Sequence, residues 1–340
     1  MLDNDNTTRL LALKSGTSRR AFLRGAGGLA AVAATPSRLL ADQYPSRNVT
    51  FVVPFPPGGT PDILARLLGR KLGEIYGRTF VIENRGGAGG SIAAEAVARA
   101  PADGYTLMMG HIGTLAVNVS IYPKLQYDPR RSFVPVSSVA NVANLLVVNP
   151  SLPVSSVAEL IEYARKNPKK LNYSSGGNGS AAHIAMAAFA DAAKIELTHV
   201  PYRGTAPSVT DLLAGQVQLT MTGAPAVIGH VHAGKLRALG FAGLKRLPAE
   251  PNIPTIAETL PGFEANQWYG VVAPAGTPDA IVRQLNEDIR KAMSAPDVTD
   301  LLARDGAEVW VGPPEEFGAY IAKEIDRWAD LVHRANIRID

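Results

Sequence analysis

No cysteine occurs anywhere in the 340 residues. That absence excludes a disulfide scaffold, thiolate zinc or iron–sulfur ligation, a cysteine nucleophile and a lipoprotein anchor. The leader also lacks a membrane-spanning run, because its apolar stretch from Gly25 to Ala34 falls far short of the ~18 residues such a helix needs. The 32 glycines and 25 prolines follow no triplet period, so the chain is not collagen-like. A block of like charge is missing too. Six of the 34 Lys and Arg and two of the 30 Asp and Glu lie in the first 41 residues, which leaves 28 of each and a formally neutral remainder. The pI near 9.2 therefore belongs to the leader. A neutral body offers no electrostatic footprint for nucleic acid or anionic lipid. What is present is globular: 46% hydrophobic, 19% charged, with a mean hydropathy of +0.03. A prior of about 100–200 residues per domain suggests two domains.

The N-terminus has the three parts of an export signal. Ser18-Arg19-Arg20-Ala21-Phe22-Leu23-Arg24 supplies the charge, Gly25 to Ala34 the apolar region and Leu39-Leu40-Ala41 the small-residue end. Adjacent arginines followed by Phe-Leu resemble a twin-arginine signal; an ordinary secretory leader is the plainer alternative. Either leader makes the mature chain periplasmic, starting near Asp42.

From residue 48, short β-branched runs alternate with longer helical patterns. Strands are expected at Val49–Val53, Thr79–Glu83 and Tyr105–Met109, with helices over about 61–76 and Ser91–Ala100 between them. After Asn141 the pattern restarts, with strands expected at Leu145–Val148, Leu171–Ser174, Glu196–Val200, Val217–Thr222, Leu236–Phe241 and Trp268–Ala273. Helices at about 278–294 and 314–336 close the chain. This grammar implies an α/β fold of two mostly parallel sheets flanked by helices. Extended links near 143 and 270 would let the C-terminal segment return to the first domain. The expected organisation is an export signal over 1–41, one domain over 42–143 plus 270–340, and a second over 144–269. Ligands in such folds sit at the carboxyl ends of strands, here in the cleft between domains.

Two glycine-rich loops each join a strand to a helix. In Val53-Pro54-Phe55-Pro56-Pro57-Gly58-Gly59-Thr60-Pro61-Asp62, Thr60 is the expected N-cap and Pro61 fits the first helical turn. In Tyr173-Ser174-Ser175-Gly176-Gly177-Asn178-Gly179-Ser180-Ala181-Ala182-His183 the same order recurs: strand, glycines, hydroxyl, helix. A helix start presents free N–H donors and about half a positive charge, so both loops are candidate anion seats. Either loop alone is also what any tight βα turn requires. A third run, Asn84-Arg85-Gly86-Gly87-Ala88-Gly89-Gly90-Ser91, has the spacing of neither a dinucleotide fingerprint nor a P-loop.

The ordered set goes further than its parts. The first loop, then Glu83-Asn84-Arg85-Gly86-Gly87-Ala88-Gly89-Gly90, Ala102-Asp103-Gly104-Tyr105-Thr106-Leu107, Tyr127-Asp128-Pro129, Pro201-Tyr202-Arg203-Gly204 and Ala273-Pro274-Ala275-Gly276-Thr277-Pro278 resemble the Bug family. These are TctC-type periplasmic solute receptors of tripartite tricarboxylate transporters. The resemblance covers residues 47 to 337. It implies a two-domain Venus-flytrap receptor that closes on a carboxylated metabolite and delivers it to a membrane permease as a monomer. It further implies ligand contacts from Phe55, Gly59, Thr60, Asp62, Gly113 and Thr114 in one domain. Ser175, Gly179, Ser180 and Ala181 would answer from the other, with Ala224 and Pro225 on the opposite rim and Tyr202 and Trp268 as walls. Two departures stand out. Thr222 occupies a position where many relatives carry an acid, which disfavours an amino-acid ligand. His111 replaces a small residue and either meets the ligand or packs on its strand end.

Catalysis finds little purchase. His183 follows Ser180 by three residues, yet Gly179-Ser180-Ala181-Ala182 is not a nucleophile elbow and no orienting acid is near in sequence. His230 and His232 are two apart and diverge on a helix. No enzyme activity, metal or cofactor is expected. A co-sensor that presents its ligand to a membrane sensor kinase is the alternative role, and a serine hydrolase using Ser180 and His183 the remaining one.

Overall fold

The computed structural model describes residues 44–334, so the expected leader lies outside the described residues. The strands are β1 Val49–Val53, β2 Phe80–Asn84, β3 Thr106–His111, β4 Phe133–Val142, β5 Asn144–Val148, β6 Asn172–Ser175, β7 Thr198–Pro201, β8 Leu219–Gly223, β9 Arg237–Phe241, β10 Gln267–Pro274 and β11 Ala307–Val309. The helices are α1 Thr60–Tyr76, α2 Ser91–Ala98, α3 Asn118–Ile121, α4 Val157–Lys166, α5 Ala181–Ala193, α6 Thr205–Leu213, α7 Ile228–His232, α8 Asp279–Met293, α9 Pro296–Arg304 and α10 Pro314–Arg334.

The strands form a six-stranded sheet, β11-β4-β10-β3-β1-β2, and a five-stranded sheet, β7-β6-β8-β5-β9. The sheets are mixed rather than mostly parallel. βαβ units supply the parallel pairs of β1 with β2 and β3, and of β6 with β7 and β8. Antiparallel pairs come from the segments that carry the chain between sheets. β10 runs against β3 and β4, and β5 against β8 and β9. Only Ala143 separates β4 from β5.

Strand alternation divides the first sheet's core in two. Val49, Phe51 and Val53 of β1 face α1 and α8, against Leu64, Leu68, Leu72 and Leu285. Val52 faces the other side, with Val97 of α2 and Phe317, Ile321 and Trp328 of α10. Each fully buried side chain of this kind contributes roughly 1.5–3 kcal/mol. The α1 stripe is narrower than its sequence suggests, for Ile75 sits at the rim and is 36% exposed. In the second sheet Leu146, Val148 and Met221 pack on Met186 and Phe189 of α5, while Leu145 and Val147 meet Val209 and Leu212 of α6. The two lobes touch, because Ala181 and Ile184 of α5 join the cluster beneath α2 and α10.

Candidate functional site

The first glycine loop leads from β1 into α1. Its expected cap is corrected by the structure: Gly59 is the N-cap, Thr60 is already helical, and no side chain caps the helix. The reason lies four residues further on. Gly58, at φ +86°, turns its N–H onto Asp62 Oδ2 at 3.0 Å, so a carboxylate closes the turn and no cap is asked of the Thr60 hydroxyl. Asp62 also accepts from Arg66 Nε at 3.0 Å and from Asn84 Nδ2 at 3.0 Å. Burial works to raise its pKa, but the Arg66, Gly58 and Asn84 donors hold the carboxyl below its ordinary value. Asp62 thus braces the loop from behind.

The second loop leads from β6 into α5. Gly177 and Gly179 take left-handed φ of +116° and +78°, and Ser180 caps the helix by accepting from the His183 N–H. The His183 ring braces the loop, its Nδ1 accepting from the Gly179 N–H at 3.2 Å. His199 lies beneath, with Nε2 2.6 Å from Ser175 Oγ. Burial drives both imidazoles toward the neutral form, to about 4 for His183 and about 3 for His199, where His183 adds a smaller repulsion.

A third helix start joins them. β7 ends at Pro201, and Gly204, at φ +119°, caps α6 so that Thr205 opens the helix. A Cβ on Gly59 would stand 3.4 Å from Thr205 Oγ1. The stretch Tyr202-Arg203-Gly204-Thr205 carries the same strand–glycine–hydroxyl–helix order as the other two loops, which is the signal that reading two loops passes over.

All three starts face one narrow cavity of about 20 Å³, space for about one water molecule. Phe55, Thr60 and Pro61 line it from the first lobe; Gly176, Ser180, Ala181, Ala182, Thr205 and Thr222 line it from the second. His111, Gln267 and Tyr269 complete the wall. It adjoins a mouth of about 690 Å³ bordered by Pro56, Tyr122, Asn178, Tyr202 and Arg203. Among the described residues no Lys, Arg, Asp or Glu lines the inner cavity. Its field therefore comes from first-turn N–H groups without intrahelical partners and from three helix ends worth about +0.5 charge each. Such a site favours a small anion with oxygen acceptors.

The remaining expected residues lie outside the cavity lining. Gly113 and Thr114 lie behind His111: Thr114 is fully buried and its N–H donates to His111 Nδ1 at 3.1 Å. Gly59, Ser175 and Gly179 shape the loops without lining the cavity. Tyr202 stands in the mouth, its hydroxyl donating to Asp211 Oδ2 at 2.7 Å. Ala224 is buried in the second lobe's core, and Pro225 borders a separate surface depression with Ile228 and Glu250. Trp268 faces away, its indole Nε1 donating to Glu324 Oε2 at 2.9 Å. The reason is the two-residue repeat of a strand: on β10 the neighbours Gln267 and Tyr269 face the cavity, so the indole must point to the opposite side. Ser180 and His183 form no catalytic pair, since the contact runs from the His183 backbone N–H to Ser180 Oγ at 3.4 Å.

A family model described as the tripartite tricarboxylate transporter family receptor, TctC, matches residues 64–337. Protein BugT of Bordetella pertussis is 37% identical over 336 residues, covering 98% of this chain and 99% of its own. Among solved structures, R. palustris Rpa4515 with adipate is 43% identical, with a TM-score of 0.85 over 87% of this chain and 100% of that one. MatC from Rhodopseudomonas palustris with bound malate is 36% identical, with a TM-score of 0.81 over 85% of this chain and 100% of that one.

Proposed function

The chain belongs to the TctC family of tripartite tricarboxylate transporter receptors, a family of binding proteins rather than enzymes, and we propose that it captures a small carboxylate in the periplasm by closing two lobes upon it. The observation that carries this reading is the convergence of three helix starts, one from the first lobe and two from the second, on a cavity without a charged side chain. A carboxylate placed there meets N–H donors from both lobes at once, so binding and closure are one event. The adipate and malate held by the two solved relatives are acids of the chemistry this arrangement favours. The lobes of the jaw follow the two sheets: 44–143 with 267–334 around the six-stranded one, and 144–266 around the five-stranded one. The closed form then hands its ligand, as a monomer, to a tripartite tricarboxylate-type permease.

Native mass spectrometry of freshly exported protein tests the first step, with a co-purified organic acid as the expected result. A panel of mono-, di- and tricarboxylates should contain at least one that raises the melting temperature; a panel with no such member overturns the reading. Loss of uptake of that acid on deletion of the gene tests the second step.

A further inference from the structure

His111 ends β3 and is 2% exposed. Its ring stands edge-on to Phe55, with centroids 4.7 Å apart and planes at 70°, and lies 6.2 Å from Tyr269. The chain turns sharply after it, and that turn decides the tautomer. The Thr114 N–H donates to Nδ1 at 3.1 Å, and a ring nitrogen that accepts from an amide cannot carry a proton itself. In the neutral ring the proton therefore sits on Nε2.

Nε2 is buried and has no hydrogen-bond partner in the protein. With Nδ1 engaged on the Thr114 turn, Nε2 is the ring nitrogen left over on a residue that lines the cavity. A carbonyl of the other lobe, Gly179 O, lies close by: a Cβ on Gly113 would stand 2.6 Å from it and 2.8 Å from Nε2. That carbonyl leaves the donor unsatisfied. A buried N–H without a partner is unfavourable, and a ligand oxygen removes the deficit.

We propose that His111 is a specificity-determining residue whose Nε2–H reads an oxygen acceptor on the ligand, away from the carboxylate seated at the helix starts. This rests on the carboxylate reading above and deepens it. The selected class is acids with a second carboxylate or carbonyl at that end. Acids ending there in methyl leave the donor unmet, and acids ending in ammonium oppose it with a second donor. Burial pushes the imidazole down to about 3, so the donor is neutral and its preference does not depend on protonation. Tyr269 is the other titratable group on the lining, and burial pushes its phenol up.

The test is calorimetry on the mature protein with straight-chain acids in matched sets: monoacid, α,ω-diacid and ω-amino acid of each length. At the best length the wild type should bind the diacid at least ~10-fold tighter than the monoacid, one hydrogen bond's share of affinity. His111→Phe should close that gap to within about threefold. His111→Gln, whose amide also donates, should restore part of it. A gap that survives His111→Phe overturns the proposal, as does a gap that widens as the pH falls from about 8 to about 6, which would mark an imidazolium. Monoacid binding reports the carboxylate reading separately: if no acid binds the wild type, that reading fails first.

Discussion

The imidazoles of His183 and His199 stack at 4.1 Å with their planes 10° apart. One belongs to α5 and the other to β7, and Tyr173 covers the far face of His199 at 4.8 Å. The pair fixes the loop that opens α5 through two contacts, Gly179 N–H on one ring and Ser175 Oγ beside the other. Two rings this close repel one another when both carry charge, which adds to the effect of burial at His199.

Stability should therefore fall in mild acid. Burial depresses both folded-state pKa values, to about 4 and about 3, below the ~6.5 of an unfolded histidine. As the pH drops from about 6.5 toward 4, the unfolded chain takes up protons that the folded one refuses, and each such histidine removes up to ~1.4 kcal/mol per pH unit. The stabilisation is complete above the unfolded value and lost below it. Denaturant unfolding at several pH values measures the slope. His199→Gln should lower it by about one proton, and an unchanged slope would refute the assignment.

Gly113→Ala should cripple binding. The added Cβ would stand 2.5 Å from His111 Cε1 and 2.6 Å from Gly179 O on the opposing lobe, so the jaw stops short of closure. An affinity loss of at least ~10-fold is expected, and the clash with His111 in its own lobe should also lower the melting temperature of the unliganded protein. Titration calorimetry and a thermal scan give the two numbers.

Tyr122→Phe should loosen the jaw without touching the cavity. The Tyr122 hydroxyl donates to Asn178 O across the mouth at 3.1 Å, a net contribution of about 0.5–1.5 kcal/mol. Stopped-flow measurement should find faster ligand release, by roughly twofold to tenfold. An identical dissociation rate would mean the bridge does not hold the closed form.

Glu324 is the buried anchor of the return strand. It accepts from Trp268 Nε1 at 2.9 Å and Trp328 Nε1 at 2.8 Å, and pairs with Arg327 at 3.2 Å. Glu324→Leu leaves two indole donors unmet and should cost about 2–5 kcal/mol of stability. Glu324→Gln should recover part of it in the same urea titration.

Elements with strong local patterns were legible in the sequence. β1 and α1 announce themselves by their apolar patterns, α5 by its alanine content and the two glycine loops by composition. β4 was hidden because Pro135 and the Ser137-Ser138 pair interrupt its apolar run, and proline within a run argues against a strand. The cap of α1 was misplaced because the nearest hydroxyl, Thr60, competes on paper with a carboxylate two residues later. On β10 the aromatic residue itself drew attention, although the strand repeat gives the cavity to its neighbours Gln267 and Tyr269. The role of His111 was open until the Thr114 N–H fixed which nitrogen carries the proton, a fact of geometry that no spacing encodes.

A short polar relay crosses the place where the chain changes sheets. The Tyr269 hydroxyl donates to Gln267 Oε1, Gln267 Nε2 donates to Asn144 Oδ1, and Asn144 Nδ2 donates to Ala265 O at 2.6 Å. Tyr269 and Gln267 line the cavity, while Asn144 opens the first strand of the second sheet. Wall and crossing are thus tied by one chain of hydrogen bonds. A substitution at Gln267 that reshapes the cavity therefore also removes a contact that ties the first sheet to the second.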